Sequence, residues 1–364
     1  MNSLKKFKHK ESFTLETGEI LSEVEIGYHT YGRLNEAKDN VIWVCHALTG
    51  DSDVFSWWSG LFGTDNLFNP KDHFIVCANF LGSPYGSSHP LSQNPKSKEK
   101  YYHDFPSITI RDIVKLHKIL ANELNIDRIE LLIGGSMGGH QALEWAIMEP
   151  KRIVKLGLIA TSAVHSPWGV AFNASQRMAI STDPSWVEAK DDAGKEGIKV
   201  ARSIALLSYR NYETYENSQK EDDADILYPK KAVTYQKYQG EKLAKRFNAF
   251  SYWTLSKAMD SMNVGRQRGN PEKALALVEA KTLIISMTND LLFPISDQDF
   301  LAKHIKNTFH TEVHTSYGHD GFLLETSKIS KVLKEYFFTN SKQSSTPKES
   351  KKISIERIGI GHRQ

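Results

Sequence analysis

Arg128-Ile-Glu-Leu-Leu-Ile133-Gly134-Gly135-Ser136-Met137-Gly138-Gly-His140-Gln-Ala-Leu-Glu-Trp-Ala146 is the stretch from which the fold can be read. Ile129, Leu131, Leu132 and Ile133 form an apolar run without alternation, which predicts a strand buried on both faces of a parallel sheet. Ala142, Leu143, Ala146 and Ile147 then recur at helical spacing until Pro150 ends the helix. Between strand and helix stands Gly134-Gly-Ser-Met-Gly138, a G-x-S-x-G. A serine on so sharp a turn needs small neighbours, because the backbone is strained and runs close to adjacent elements. Read alone, the pattern is a glycine-rich turn of a kind that chance supplies often. The strand before it and the helix after it make Ser136 a candidate nucleophile, exposed at the carboxyl end of a strand beside the first amide of a helix.

Working outward, composition narrows the function class. The chain has 364 residues, 40% hydrophobic and 24% charged, ordinary values for a globular protein and long enough for an α/β fold carrying an insertion. A net charge of +3 is too small to argue for nucleic acid or an anionic membrane, and no basic run is interleaved with aromatics. The basic first ten residues lack the apolar core of a signal segment, and no apolar run reaches the roughly 20 residues that span a bilayer. The two cysteines, Cys45 and Cys77, lie in apolar runs with no metal-ligand neighbour at useful spacing, so buried, reduced thiols and a cytoplasmic setting are expected. No metal is expected.

In chain order, Phe13 to Leu21 and Val24 to Gly32 alternate as an antiparallel hairpin around Gly18 would. Val41–Cys45 and Phe74–Ala78 are continuous apolar strands. The first leads into His46-Ala-Leu-Thr-Gly50, the second into a Gly, Ser and Pro-rich loop as far as Asn94. Thr109, with Asp112 three residues on, caps a helix whose stripe is Ile113, Leu116, Ile119 and Leu120. Val154–Ala160 is the next strand, and strands alternating with helices predict a mostly parallel sheet with helices on both faces.

From residue 162 to 279 buried strands give way to helix formers, at Gly197–Tyr209, Lys231–Phe247 and Ser251–Met262, rich in aromatics. This is a helical lid inserted between two strands of a core formed by residues 12–161 and 280–339. The sheet resumes at Lys281–Met287, followed by a helix from Asp297 to His304, a strand at Thr311–Thr315 and a closing helix, Phe322–Phe338. Residues 340–364 are a polar, solvated tail with a weak strand-like patch at Ile353–Ile360.

A serine hydroxyl needs a base, and the base an orienting carboxylate. In a doubly wound hydrolase topology these arrive in the order serine, acid, histidine, each at the carboxyl end of a strand. Asp290 follows the strand after the insertion and His319 the strand after that, so both match in order and placement. His140, on the helix behind the serine, is assigned to packing or a partner contact, and His46 to fixing the loop that follows it. A tetrahedral oxyanion needs two amide donors. Met137, next to the serine, supplies one, and Leu48, in the loop after the first buried strand, is the choice for the other.

Several motifs together bring a resemblance. His46-Ala-Leu-Thr-Gly-Asp, Asn79-Phe-Leu-Gly, Tyr85-Gly-Ser, Asp104-Phe-Pro with Thr109-Ile-Arg-Asp, Gly134-Gly-Ser-Met-Gly-Gly, Ala201-Arg, Ser251-Tyr, Asp290-Leu-Leu-Phe-Pro and Gly318-His-Asp resemble the homoserine O-acetyltransferase family of the α/β-hydrolase fold. The likeness runs from about Ser12 to Phe338. It implies ping-pong transfer of an acetyl group from acetyl-CoA, as co-substrate, to the γ-hydroxyl of L-homoserine in methionine biosynthesis, with no tightly bound cofactor and a homodimer joined through the lid. It also implies substrate contacts: Arg202 for the amino-acid carboxylate, Asp320 for the α-ammonium, and Tyr209 nearby, two helical turns after Arg202 on the same face. The chain departs from the family pattern with Ser83-Pro84 for Gly-Cys, Ser88-His89 for Thr-Gly, His140 for methionine and Asp53 for histidine. These departures leave open a succinyl-CoA donor or an L-serine acceptor. A serine esterase with the same three residues is the alternative outside the family.

Overall fold

The computed structural model describes residues 3–339. Its centre is a run of strands with no polar face. Val41–Cys45 (β5), Phe74–Ala78 (β6), Ile129–Gly135 (β7), Ile153–Ile159 (β8) and Lys281–Met287 (β9) are almost wholly buried, as continuous apolar runs require when helices cover both sides. Alternate residues divide between the two faces. Val41, Trp43, Cys45, Leu132 and Ile284 pack into one core, and Ile42, Val44, Leu131, Ile133, Leu283 and Ile285 into the other.

Together with Lys5–His9 (β1), Val24–Tyr31 (β4) and Thr308–Val313 (β10), these form an eight-stranded sheet of order β1-β4-β6-β5-β7-β8-β9-β10. From β6 to β10 neighbours run parallel; β1 and β4 add an antiparallel edge. Chain order turns back at β5, flanked by β6 and β7, so the carboxyl ends of β5 and β7 border a crevice of the kind that takes ligands in open α/β sheets. The helices Ile110–Glu123 and Met137–Met148 cover the first face. The capping box expected at Thr109 and Asp112 opens the former. On the other face, Trp58, Phe62, Ile329, Leu333 and Phe337 pack against the strands.

Between β8 and β9 the chain is helical, at Pro167–Ser181, Lys195–Tyr209, Tyr212–Gln219, Lys231–Ala244, Ala249–Asp260 and Pro271–Leu275. The first of these was not among the helices expected from sequence. Ser166 caps it and Pro167 begins it, but its apolar residues do not gather on one stripe.

Other expectations are corrected. The turn around Gly18 joins only two two-residue strands, Phe13–Thr14 (β2) and Ile20–Leu21 (β3), while Val24–Tyr31 pairs with β1 and β6 instead. Strand β1 lies ahead of residue 12, where the sequence reading begins the core. Strand β10 starts at Thr308 and ends at Val313, two residues short of Thr315. The closing helix is broken at Glu325 (φ −84°, ψ 40°), giving Gly321–Leu324 and Thr326–Leu333, and a π-turn finishes it at Lys334–Phe338. The tail 340–364, with Ile353–Ile360, lies outside the described residues. Cys45 and Cys77 are buried and unpaired, and burial pushes both thiols up.

Candidate active site

Ser136 sits between β7 and its helix with φ 57° and ψ −127°, a backbone conformation costly for a residue with a side chain. Its own hydrogen bonds hold it there: the Ser136 amide donates to the Ile159 carbonyl at 3.0 Å, and Thr161 Oγ1 donates to the Ser136 carbonyl at 2.9 Å. The flanking glycines are set by close approach. A Cβ on Gly138 would stand 2.1 Å from the Cys45 carbonyl oxygen, and one on Gly135 2.4 Å from the Phe322 ring. A larger residue at Gly138 would push the turn away from the end of β5.

Asp290 comes from the loop after β9, where the amides of Leu292 and Phe293 donate to its Oδ1 at 2.8 and 2.9 Å. That leaves Oδ2 for His319, which lies after β10 at Gly318–Asp320. The distance from His319 Nδ1 to Asp290 Oδ2 is 2.7 Å, and from His319 Nε2 to Ser136 Oγ 2.9 Å. All three side chains are buried, and the tautomer that suits both partners has its proton on Nδ1 toward the carboxylate and its Nε2 lone pair toward the hydroxyl. Serine, acid and histidine thus meet in one hydrogen-bonded row. The row can take a proton from a hydroxyl and hold the resulting imidazolium beside a carboxylate.

The row opens into a cavity of about 300 Å³, whose lining includes Leu48, Ser136, Arg202, Tyr209, His319 and Asp320. The structure therefore brings together every side chain singled out from the sequence except Asp290, which lies behind His319, and Met137, whose expected role is its amide. Neither the Leu48 nor the Met137 amide donates to a protein acceptor among the described residues, although both residues are buried. His46 holds the Leu48 loop: its Nδ1 lies 2.9 Å from the Ala47 carbonyl, its ring stacks on Phe80, and burial pushes it down to about 3. Gln141 Nε2 donates to the His46 carbonyl from the helix behind.

Arg202 and Tyr209 share a helix face, with the guanidinium carbon 5.4 Å from the ring centroid, within cation–π range. Arg202 has no ion-pair partner among the described residues. Asp320 does, in a residue the sequence reading missed: Arg210 Nε donates to its Oδ2 at 3.1 Å. Burial raises the Asp320 carboxyl, and Arg210, Arg202 and His319 act against that rise. Arg246 was also missed. It lines the cavity and donates to the Thr49 carbonyl and the Tyr85 hydroxyl. His140, by contrast, is buried away from the cavity against His165 and Phe293, and burial holds it neutral. None of the departures at Asp53, Ser83, Pro84, Ser88, His89 or His140 lines the cavity. Among the described residues no group of three or more His, Cys, Asp or Glu side chains is placed to hold a metal ion.

Residues 40–326 match the family described as the alpha/beta hydrolase fold. A homoserine O-acetyltransferase of Cyclobacterium marinum is 44% identical over 340 residues, covering 92% of this chain and 95% of that protein. The chain belongs to the homoserine O-acetyltransferase family. The enzyme of that name from Chlorobaculum parvum, 41% identical over 339 residues, agrees at the same coverage. Among solved structures, the homoserine O-acetyltransferase of Staphylococcus aureus is 28% identical with a TM-score of 0.76, covering 94% of this chain and 98% of that one. Esterase E22 superposes more closely, with a TM-score of 0.85 over 93% of this chain and 100% of that one, at 23% identity. The fold is thus shared by homoserine O-acetyltransferases and esterases, and shape alone does not divide them.

Proposed function

We propose that this chain transfers an acetyl group from acetyl-CoA to the hydroxyl of L-homoserine through an ester on Ser136, in methionine biosynthesis. Family membership supports the reaction. The observation that carries the mechanism is the unbroken row Asp290–His319–Ser136 opening onto Arg202 and Asp320.

His319 Nε2 takes the proton as Ser136 Oγ attacks the thioester carbonyl, and the amides of Leu48 and Met137 receive the oxyanion. The C–S bond breaks, His319 protonates the leaving thiolate, and CoA departs. Homoserine then enters with its carboxylate on Arg202 and its ammonium on Asp320. His319 deprotonates its hydroxyl, which attacks the ester carbonyl, and Ser136 regains the proton as it leaves. Asp290 stabilises the imidazolium in both halves. Arg202 suits the carboxylate because it makes no salt bridge among the described residues. Arg210 and Arg202 oppose the burial that raises the Asp320 carboxyl, which favours the charged form that an ammonium pairs with.

Residues 162–279 act as a lid that keeps water from the ester, a condition for transfer over hydrolysis. The lid also joins two copies, and the setting is cytoplasmic; no helix among the described residues is long and apolar enough to cross a membrane. The reaction needs no tightly bound cofactor.

The test is release of free thiol from acetyl-CoA and succinyl-CoA, each with homoserine, serine or no acceptor. Thiol release that depends on homoserine and favours acetyl-CoA is expected; full-rate release without acceptor would make the chain an esterase. Ser136→Ala lowers kcat by about 10⁴-fold or more and leaves no acyl adduct by mass spectrometry.

A further inference from the structure

The catalytic cavity has room for an acetyl thioester and a small amino acid, but not for the nucleotide end of coenzyme A. The phosphates must therefore be held outside it. Arg246 lines this cavity and also a second one of about 270 Å³. We propose that this second groove, walled by Lys195, Lys245 and Arg246, binds the phosphates of the acyl-CoA donor, so that the uncharged pantetheine arm passes Arg246 on its way to Ser136. The inference rests on the donor reading given above.

Three features of the groove support it. Lys195, Lys245 and Arg246 make no salt bridge among the described residues; Arg246 donates to the neutral Thr49 carbonyl and Tyr85 hydroxyl, and its charge acts on the Asp51 carboxylate from a distance. Their charge is therefore available to an anion. Of the two acids on the wall, Asp191 is already neutralised by Lys100 at 2.5 Å, which leaves Asp192 against three cations. Finally, the helix Ala249–Asp260 begins at the groove: Asn248 and Ala249 line it, and the Ala249 and Phe250 amides donate to nothing among the described residues. Free amides and the positive end of a twelve-residue helix add to the attraction for phosphate. Arg246 ties the two sites together, since the same guanidinium holds the Thr49 carbonyl of the loop that carries Leu48. An anion drawn to this groove would sit next to the loop that faces the thioester.

The experiment compares wild type with Lys195→Ala/Lys245→Ala, two exposed positions outside the catalytic row. Calorimetric titration with coenzyme A itself is expected to show binding weakened by about tenfold in the variant, the loss of charge-assisted contacts to phosphate. In the thiol-release assay KM for acetyl-CoA rises by a similar factor at unchanged kcat. For S-acetyl-N-acetylcysteamine, a thioester that ends before the phosphates, both constants stay the same. Equal coenzyme A affinity in the two proteins, or an equal loss with both thioesters, would overturn the proposal. A wild type that binds coenzyme A in this groove yet transfers no acetyl group to homoserine would instead overturn the reaction and leave the groove standing.

Discussion

Arg202 and Asp297 differ in what their surroundings ask of them. Arg202 faces the cavity without a salt bridge among the described residues, so the substrate carboxylate proposed above would complete its pairing. Replacing it with leucine is expected to raise KM for homoserine by about 100-fold, the worth of a charge-assisted bidentate contact, while acylation of Ser136 by acetyl-CoA without acceptor keeps its rate. A burst of thiol equal to wild type followed by a slow steady state is the pattern to look for; a lost burst would mean that Arg202 serves the donor. Asp297 is the opposite case. It lies in the first turn of the helix Ile295–His304, its Oδ2 is buried without a hydrogen-bond partner, and burial, reinforced by the Asp290 charge, pushes it up to about 6. Between about pH 4 and 6 the folded protein retains a proton that the unfolded chain has released, so stability falls as pH rises through this window and stays lower above it. Asp297→Asn removes the ionisation. Allowing for a lost helix-dipole contact of about 0.5 kcal/mol, the variant gains about 1–2 kcal/mol at pH 7 and nothing below pH 4. Thermal melts at the two pH values decide it, and an equal Tm difference at both would refute the titration.

At the scale of elements, the tie between the first helix layer and the insertion is ionic. Glu144, almost fully buried in the helix Met137–Met148, accepts from Arg111 Nε at 2.9 Å and Arg268 Nη2 at 2.6 Å. Arg111 and Arg266 in turn hold Glu16, at 2.9 and 2.7 Å. Glu144→Ala leaves Arg268 without its anion and Arg111 with Glu16 alone, and a loss of about 3 kcal/mol is expected from denaturant midpoints. A loss below 1 kcal/mol would mean that water reaches Arg111. None of this network was legible in the sequence, because its members become neighbours only when separate elements pack. The same holds for Arg210 and Arg246, which reach partners 110 and 197 residues away. What could be read was governed by local rules. Strands β5 to β9 are apolar throughout because both their faces are covered, and a strand–Gly-x-Ser-x-Gly–helix unit has one sharp turn at which to expose a hydroxyl. Asp290 and His319 followed from that unit through the order of strand ends. Strand β1 escaped because Lys5-Lys-Phe-Lys-His9 reads as a solvated basic start; at a sheet edge the lysines are the residues that discourage further pairing. Strand β10, the opposite edge, lost its boundaries for a similar reason: only Val313 of its six residues is buried.

For the molecule as a whole, the distribution of exposed apolar surface is uneven. Among the described residues, eleven of the seventeen exposed large hydrophobic side chains fall within residues 162–279, among them Met178, Val187, Leu227 and Tyr228, and this concentration marks the surface of that segment as one that gains by being covered. A second copy of the chain is the occupant proposed here. The helix Lys195–Tyr209 shows how assembly would reach the active site. Ile198, Ala201, Ala205 and Leu206 bury one side of it, Arg202 and Tyr209 line the cavity, and Val200 and Leu207, two turns apart, stand exposed on the other side. Covering Val200 and Leu207 would clamp from outside the helix that positions Arg202 within. Val200→Glu/Leu207→Glu places two carboxylates at that contact, which weakens association by about 100-fold or more. Sedimentation velocity should show the wild type as a dimer and the variant as a monomer, with KM for homoserine raised severalfold and acylation by acetyl-CoA retained. A wild type that sediments as a monomer at micromolar concentration would remove the partner from the account. A monomeric variant with wild-type KM would keep the dimer but separate it from the substrate site, leaving the helices of residues 162–279 to hold Arg202 by their internal packing alone.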